Sequence, residues 1–169
     1  MKRNFELTMH RAACLLLSAL AIPLAACSTQ AAPPAKAVET TGVHPVSGLK
    51  VIPLTITQNG KAYNFRVELA QSPAEQSRGL KFRTELGPNE GMLFPSDRPQ
   101  LRSFWMHNTV ISLDLIFIGP DHLITNIAAN AVPYSETPIS SAGLASAVLE
   151  IPGGRAEELG IMPGARVTW

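Results

Sequence analysis

The sequence predicts a mostly β domain of the α+β class: a small barrel-like or strongly curved antiparallel sheet with one short helix. Roughly seven short segments are apolar or alternate between apolar and polar residues, which is the pattern of strands. Gly, Pro and Asn-Gly turn signals separate these segments. The chain also contains one strong helix start. Many short strands beside a single helix are typical of a sheet that curves around its own core.

A β-hairpin is predicted near the start of the domain. Residues 50–56 have strand composition, although Pro53 cannot donate to a strand ladder and so suggests a sheet edge. Residues 62–69 alternate between apolar and polar side chains. Asn59-Gly60 lies between the two segments, and this dipeptide is the strongest short hairpin signal.

The helix is predicted at residues 73–81. Ser72 can cap it, Pro73 suits its first position, and Glu75 can complete a capping box. The remaining elements are predicted from apolar runs and their turn signals. They are strands at residues 92–94, 101–109, 113–118, 122–131 and 145–151, a helical turn at 155–159, and a last strand fed by the turn at 160–167.

The N-terminus has the order of an export signal: a basic head, a short apolar run and small residues before Cys27. Leu-Ala-Ala-Cys resembles a bacterial lipobox, which predicts a signal peptide at 1–26 and acylation of Cys27. Residues 27–46 then form a flexible tether, and residues 47–169 a single globular domain. The predicted location is the periplasmic side of the outer membrane, held by the lipid anchor. The alternative is a soluble periplasmic protein.

Composition argues against several classes of protein. Removal of residues 1–26 takes away three bases and one acid, which leaves a chain near neutrality and no nucleic-acid footprint. It also removes Cys14, so the mature chain has no cysteine pair for a disulfide or a metal. No Walker loop, dinucleotide fingerprint or nucleophile elbow occurs, and no cofactor is predicted.

Residues 101–109, which we call the central segment, hold the densest set of side chains able to grip a ligand. As a strand, the segment would place Trp105 and His107 on one face and Phe104 and Asn108 on the other. A single histidine makes no metal site, and none is predicted. Two acids lie on predicted strands, where a buried carboxylate needs a partner such as an arginine. These acids are Asp114 and Glu150, and their candidate arginine partners are Arg78, Arg83 and Arg102.

Five ordered motifs resemble the bacterial and archaeal domain of unknown function family 192 over roughly residues 50–168. They are Gln76-x-x-Gly79-Leu80-x-Phe82-Arg83, Gly91-Met92-Leu93-Phe94, Phe104-Trp105-Met106-x-Asn108-Thr109, Leu113-Asp114-x-x-Phe117-Ile118 and Val148-Leu149-Glu150-x-x-x-Gly154. The resemblance implies a compact β-rich domain, often secreted or lipid-anchored, with no established activity. The chain departs from the family pattern at three positions. Lys81 stands where Met is usual, His107 where Lys is common, and Ala165 where Asp is usual.

The function expected from these observations is a non-enzymatic module of the cell envelope that binds a small polar ligand or an envelope protein. Its predicted cleft is formed by Arg83, Trp105, His107, Asn108, Asp114 and Glu150. One alternative is a hydrolase of envelope polymers that acts through Asp114, Glu150 or His107. Another is a purely structural lipoprotein.

Overall fold

Seven strands form one large mixed sheet, and two short strands form a separate ribbon. The computed structural model describes residues 42–169. The predicted signal peptide, Cys27 and most of the predicted tether lie outside the described residues. The strands are β1 (Val51–Gln58), β2 (Lys61–Leu69), β3 (Glu90–Gln100), β4 (Ser103–Phe104), β5 (Leu113–Ile118), β6 (Ile124–Ala131), β7 (Ile139–Ser140), β8 (Ala145–Pro152) and β9 (Arg166–Thr168). The helices are α1 (Pro73–Arg78) and α2 (Arg155–Leu159).

The large sheet has the order β6-β5-β8-β3-β2-β1-β9, and β4 pairs with β7. The mostly β class with a curved sheet is confirmed, but the sheet is not closed into a barrel. Its edge strands approach each other at one end, where Leu123 and Arg166 form an isolated bridge. No helix among residues 42–169 is long and apolar enough to cross a bilayer.

The predicted hairpin is confirmed as β1 and β2, which pair from Val51–Glu68 to Gln58–Lys61. Asn59 and Gly60 both have positive φ, as a tight hairpin turn requires. Pro53 does not mark a sheet edge, because β9 pairs with β1 on its other side. That pairing covers only Thr55–Thr57, so Pro53 lies beyond its end and no hydrogen bond to β9 is lost.

The predicted antiparallel arrangement holds for the sheet except at one pairing. Strands β2 and β3 run parallel, from the Arg66–Glu90 pair to the Leu69–Leu93 pair. The chain between them contains α1 and crosses over, as a parallel pair requires. The crossover places the end of α1 against the face of the sheet that carries Met92 and Phe94.

Alternation along the central strands gives the sheet two buried faces. On β8, Leu149 and Ile151 join one apolar cluster, with Ile116 of β5. Val148 joins the other, with Phe94 and Phe117. Because side chains of a strand alternate between faces, Glu150 belongs to the face of Val148.

Helix α1 begins as predicted and ends earlier than predicted. The Ser72 side chain accepts a hydrogen bond from the backbone of Glu75, and the Glu75 carboxylate accepts one from the backbone of Ser72, so the capping box is present. The backbone N–H groups of Ser72 and Gln71 both donate to the Glu75 carboxylate and hold its pKa below its usual value. The helix ends at Arg78 because Gly79, with φ of 50°, leaves the helical conformation.

The prediction that the central segment is a strand was wrong beyond Phe104. Only Ser103 and Phe104 pair with another strand, β7. The Met106 N–H instead donates to the Ser135 carbonyl, and the Thr109 N–H donates back to Met106. Asn108 has a φ of 56°, which lies outside the range of regular strand backbone. The segment is therefore a short strand followed by a turn.

Residues 42–50, which we call the N-terminal arm, are hydrogen-bonded into the domain. Val43 bridges to Lys50, and the Val51 N–H donates to the Gly42 carbonyl. The arm lies over the last residues of β2, where His44 Nε2 is 3.6 Å from Glu68 Oε1. Structural contacts thus begin before residue 47, the predicted start of the domain.

Candidate ligand-binding site

A pocket of about 220 Å³ lies on the Phe94 face of the sheet, between the end of α1 and the central segment. We call it the Glu150 pocket. Its lining comes from stretches of chain that are far apart in sequence. These residues are Gln76, Ser77, Arg78, Gly79, Leu80, Lys81, Phe94, Arg102, Ser103, Phe104, Trp105, Thr109 and Glu150.

Glu150 is the only acid that lines this pocket. It lies on β8 between Met92 of β3 and Leu115 of β5, and it is 5 % exposed. None of residues 42–169 donates a hydrogen bond to its carboxyl group or forms an ion pair with it. Burial raises its pKa to about 8, so the carboxyl group is protonated at neutral pH and can donate a hydrogen bond.

Close packing of two strands sets the position of Glu150. A Cβ atom at Gly91 would lie 2.4 Å from the Glu150 carbonyl oxygen. Any side chain at position 91 would therefore push β3 away from β8. The resulting contact places the Glu150 carboxyl group beside Phe94 in the pocket wall.

Arg102 provides a half-buried guanidinium group to the lining. It donates to Ser96 and to Gln76 Oε1, and its guanidinium carbon lies 5.2 Å from the centroid of the Phe104 ring. Burial lowers the pKa of Arg102, but arginine remains charged at neutral pH. No carboxylate among residues 42–169 pairs with it.

Trp105 and His107 form an exposed stack at the rim. Their ring centroids are 5.1 Å apart, and Trp105 is 53 % exposed while it also lines the pocket. His107 does not line the pocket, and its Nδ1 is 2.6 Å from Glu136 Oε1. Asn108 also lies outside the lining, where its carbonyl accepts a hydrogen bond from the Phe82 N–H.

The structure places Asp114 away from the pocket. Its side chain is fully buried on the face of Ile116, opposite to Glu150. Oδ1 accepts hydrogen bonds from the N–H groups of Asn130 and Gly154, and Oδ2 accepts one from Ala156. The expectation of an arginine partner was therefore wrong for Asp114, whose oxygens are occupied by backbone donors.

Arg83 is also separate from the pocket. Its Nη1 donates to Glu68 Oε1 at 2.7 Å, and both side chains are largely buried beneath the N-terminal arm. Glu68 escaped prediction because alternation along residues 62–69 put it on a polar face. The arm covers that face at its end, and β-strand periodicity carries no signal of such a cover.

Of the six residues predicted to form the cleft, the structure thus brings Trp105 and Glu150 into one pocket and places His107 beside Trp105. It does not bring Arg83, Asn108 or Asp114 there. Sequence reasoning missed Arg78, Lys81 and Gln76 as lining residues. Their signal was the motif that begins at Gln76, which runs along the end of α1 toward the pocket.

Glu150→Gln is expected to remove a pH dependence of stability. The pKa of Glu150 rises from 4.5 to about 8 on folding, so the folded chain keeps a proton that the unfolded chain releases between these values. The stability that this proton contributes is fully present below pH 4.5 and is lost as pH rises through 8.

From pH 6 to 7.5 the free energy of unfolding of the native chain should fall by about 2 kcal/mol relative to Glu150→Gln, at about 1.4 kcal/mol per pH unit. Urea denaturation at both pH values measures this difference. Glu157→Gln, an exposed change, should leave the slope of the native chain unchanged. Parallel pH profiles for the native chain and Glu150→Gln would contradict the raised pKa.

Residues 42–169 contain no group of three or more His, Cys, Asp or Glu side chains arranged to hold a metal ion. The charged groups of the Glu150 pocket are instead three bases and one acid, namely Arg78, Lys81, Arg102 and Glu150. The site is therefore suited to hydrogen bonding and charge recognition by side chains.

Comparison with known proteins gives the family. The family model DUF192, described as Uncharacterized ACR, matches residues 54–169. The chain belongs to DUF192. This confirms the resemblance of the five motifs. No curated protein matches the chain.

Two crystal structures of similar proteins extend the DUF192 comparison. A protein of unknown function from Novosphingobium aromaticivorans is 57% identical with a TM-score of 0.74, over 76% of this chain and 91% of that one. A Sinorhizobium meliloti protein described as a proposed transcription regulator is 37% identical with a TM-score of 0.67, over 69% of this chain and 91% of that one.

The motifs that carry the DUF192 resemblance converge on the Glu150 pocket. Four of the five contribute lining residues, although they lie far apart in the sequence. These residues are Gln76, Gly79, Leu80, Phe94, Phe104, Trp105, Thr109 and Glu150. The remaining motif contains Asp114, which instead joins β5 to α2 by accepting hydrogen bonds from backbone N–H groups.

Proposed function

We propose that this DUF192 chain is a non-enzymatic binding module that holds a small polar ligand in the Glu150 pocket. One observation carries the proposal: a buried carboxyl group lines an open pocket and has no hydrogen-bond partner among residues 42–169. Among residues 42–169 the buried side-chain atom without a hydrogen-bond partner is Glu68 Oε2, so the Glu150 oxygens are open to the pocket rather than sealed in the core. A ligand in the pocket can therefore hydrogen-bond to Glu150, and the half-buried Arg102 offers a second polar contact.

The two-carboxylate hydrolase expected as an alternative receives no geometric support. Asp114 and Glu150 lie on opposite faces of the sheet, and all three hydrogen bonds that Asp114 accepts come from backbone N–H groups. Acid–base hydrolysis needs two carboxyl groups that flank one bond. Binding requires only the convergence that the pocket provides.

A screen of small polar compounds tests the binding role. Ligands should raise the melting temperature, because they bind the folded state alone, and should shift the indole N–H resonance of Trp105. Trp105→Ala should weaken binding about tenfold. Trp169→Ala is the matched control, since Trp169 packs on His122 and does not line the pocket.

The proposal fails if bound compounds leave the Trp105 resonance unmoved, or if the two tryptophan variants bind equally well. It also fails if a broad set of polar compounds produces no binding at millimolar concentration. Folding of each variant is checked by its own urea transition, so a loss of binding is separated from a loss of structure.

We further propose that the module is held at the cell envelope by acylated Cys27, on the periplasmic side of the outer membrane. The support is the order of residues 1–27: basic head, apolar run, Leu-Ala-Ala and cysteine. Metabolic labelling with a clickable fatty acid should modify the native chain and not Cys27→Ser. The variant should also leave the membrane fraction. Unlabelled native chain would refute the anchor and leave the soluble periplasmic alternative.

A further inference from the structure

The charges that line the Glu150 pocket are unbalanced. Arg78, Lys81 and Arg102 have no ion-pair partner among residues 42–169. Burial keeps Glu150 protonated at neutral pH, so the single acid in the lining does not offset the three bases. The precursor as a whole has a net charge of +1, so this excess of positive charge is a local feature of the pocket.

Arg102 retains capacity for an anion. A guanidinium group has five N–H donors, and its hydrogen bonds to Ser96 and Gln76 use two of them. These two bonds, together with the Phe104 ring, fix its orientation before any ligand arrives. A pre-oriented guanidinium group can bind the two oxygens of a carboxylate side by side.

Part of the lining, which we call the apolar wall, offers contacts to carbon beside the polar groups. Leu80, Phe94 and Phe104 form this wall, and Trp105 adds an aromatic ring at the rim. The volume of about 220 Å³ corresponds to roughly seven waters at about 30 Å³ each. A small organic molecule of that size can contact both the polar groups and the apolar wall, whereas an inorganic ion can use only the polar groups.

We infer that the ligand of the Glu150 pocket is a small organic carboxylate. Arg102 binds its carboxylate group, Arg78 and Lys81 balance its charge, and Glu150 donates a hydrogen bond to one of its oxygens. The apolar wall packs against its carbon skeleton. This inference rests on the proposed binding function and specifies the chemical class that the pocket selects.

Calorimetric titration of the native chain at pH 7 with lactate, glycerate and benzoate, each beside its neutral amide, tests the inference. Inorganic phosphate is the additional probe. At least one acid should bind at least tenfold more tightly than its amide, and phosphate should bind more weakly than that acid. Arg102→Gln should weaken acid binding about 10- to 100-fold, as expected for the loss of charged hydrogen bonds. Arg98→Gln, an exposed arginine outside the lining, is the matched control.

A second arm uses the ionisation of Glu150, which shares the pocket lining with the basic groups Arg78, Lys81 and Arg102 and with no other charged residue. Raising the pH from 7 to 9.5 deprotonates Glu150 and should weaken acid binding by the native chain. Glu150→Gln should abolish this pH dependence, because glutamine donates a hydrogen bond at both values. A loss that is equal in both proteins would overturn the role of Glu150.

The outcomes separate the two proposals. If the amides bind as well as the acids and depend on Trp105, the pocket binds ligands but the carboxylate class is wrong. If phosphate alone binds, the class is also wrong. If the acids bind and Arg102→Gln behaves like Arg98→Gln, the assigned anion contact is wrong. If no probe binds and the wider polar screen also fails, both proposals fall.

Discussion

Asp114→Ala is expected to lower the free energy of unfolding by about 4 kcal/mol. The substitution leaves the N–H groups of Asn130, Gly154 and Ala156 without their acceptor in the interior. Each unsatisfied buried donor costs about 1–3 kcal/mol. Urea denaturation, with the midpoint and slope fitted together, measures the loss.

Asp114→Asn should cost less than Asp114→Ala, because one amide oxygen still accepts hydrogen bonds while the charge is lost. Glu157→Ala is the control, an acid of α2 whose side chain is exposed. A cost below about 1 kcal/mol for Asp114→Ala would show that these three bonds do not hold β5, β6 and α2 together. It would also return Asp114 to the list of groups available for ligand binding.

Arg83→Met is the second large effect, with an expected loss of about 3–5 kcal/mol. Glu68 is 2 % exposed and its Oε2 has no hydrogen-bond partner within the described part of the chain, so removal of Arg83 leaves a buried carboxylate without its principal hydrogen bond. The same change at an exposed arginine, Arg98→Met, should cost little. The difference between the two variants isolates burial of the ion pair.

The double variant Glu68→Leu/Arg83→Met should recover most of that loss. Replacing both partners of a buried ion pair with apolar residues removes the desolvation penalty together with the attraction. The four proteins of this cycle give the coupling energy between the two side chains. If the double variant is as unstable as the sum of the single variants, the pair is not coupled and the contact adds no specific stability.

Local chemistry made much of the fold predictable. The Asn59-Gly60 turn and the Ser72–Glu75 capping box are short-range features, each complete within four residues. The strand order and the parallel pairing of β2 with β3 were not predictable in the same way. They depend on which apolar faces meet after the chain crosses over, and periodicity along one strand carries no record of its neighbours.

The central segment shows the same limit in the candidate site. Its alternation resembles a strand, yet the backbone groups of Tyr134 and Ser135 take up hydrogen bonds after Phe104, and the chain turns at Asn108. Trp105 and Glu150 meet in one pocket, and both are conspicuous in the sequence as an aromatic residue and as an acid within an apolar run. Arg102 is an ion-pair candidate in the sequence, and only the structure shows that no acid among residues 42–169 pairs with it.

The N-terminal arm also determines how the domain would carry a mechanical load. A force applied to the chain before Gly42 acts first on the hydrogen bonds around Val43 and Lys50, which break one after another. Strand β1, which follows, pairs with β2 along its whole length and with β9 at Thr55–Thr57, so many hydrogen bonds resist its removal together. The N-terminal arm is thus expected to detach at a lower force than strand β1. Tension applied there would uncover the Glu68–Arg83 pair while the sheet and the Glu150 pocket stay intact.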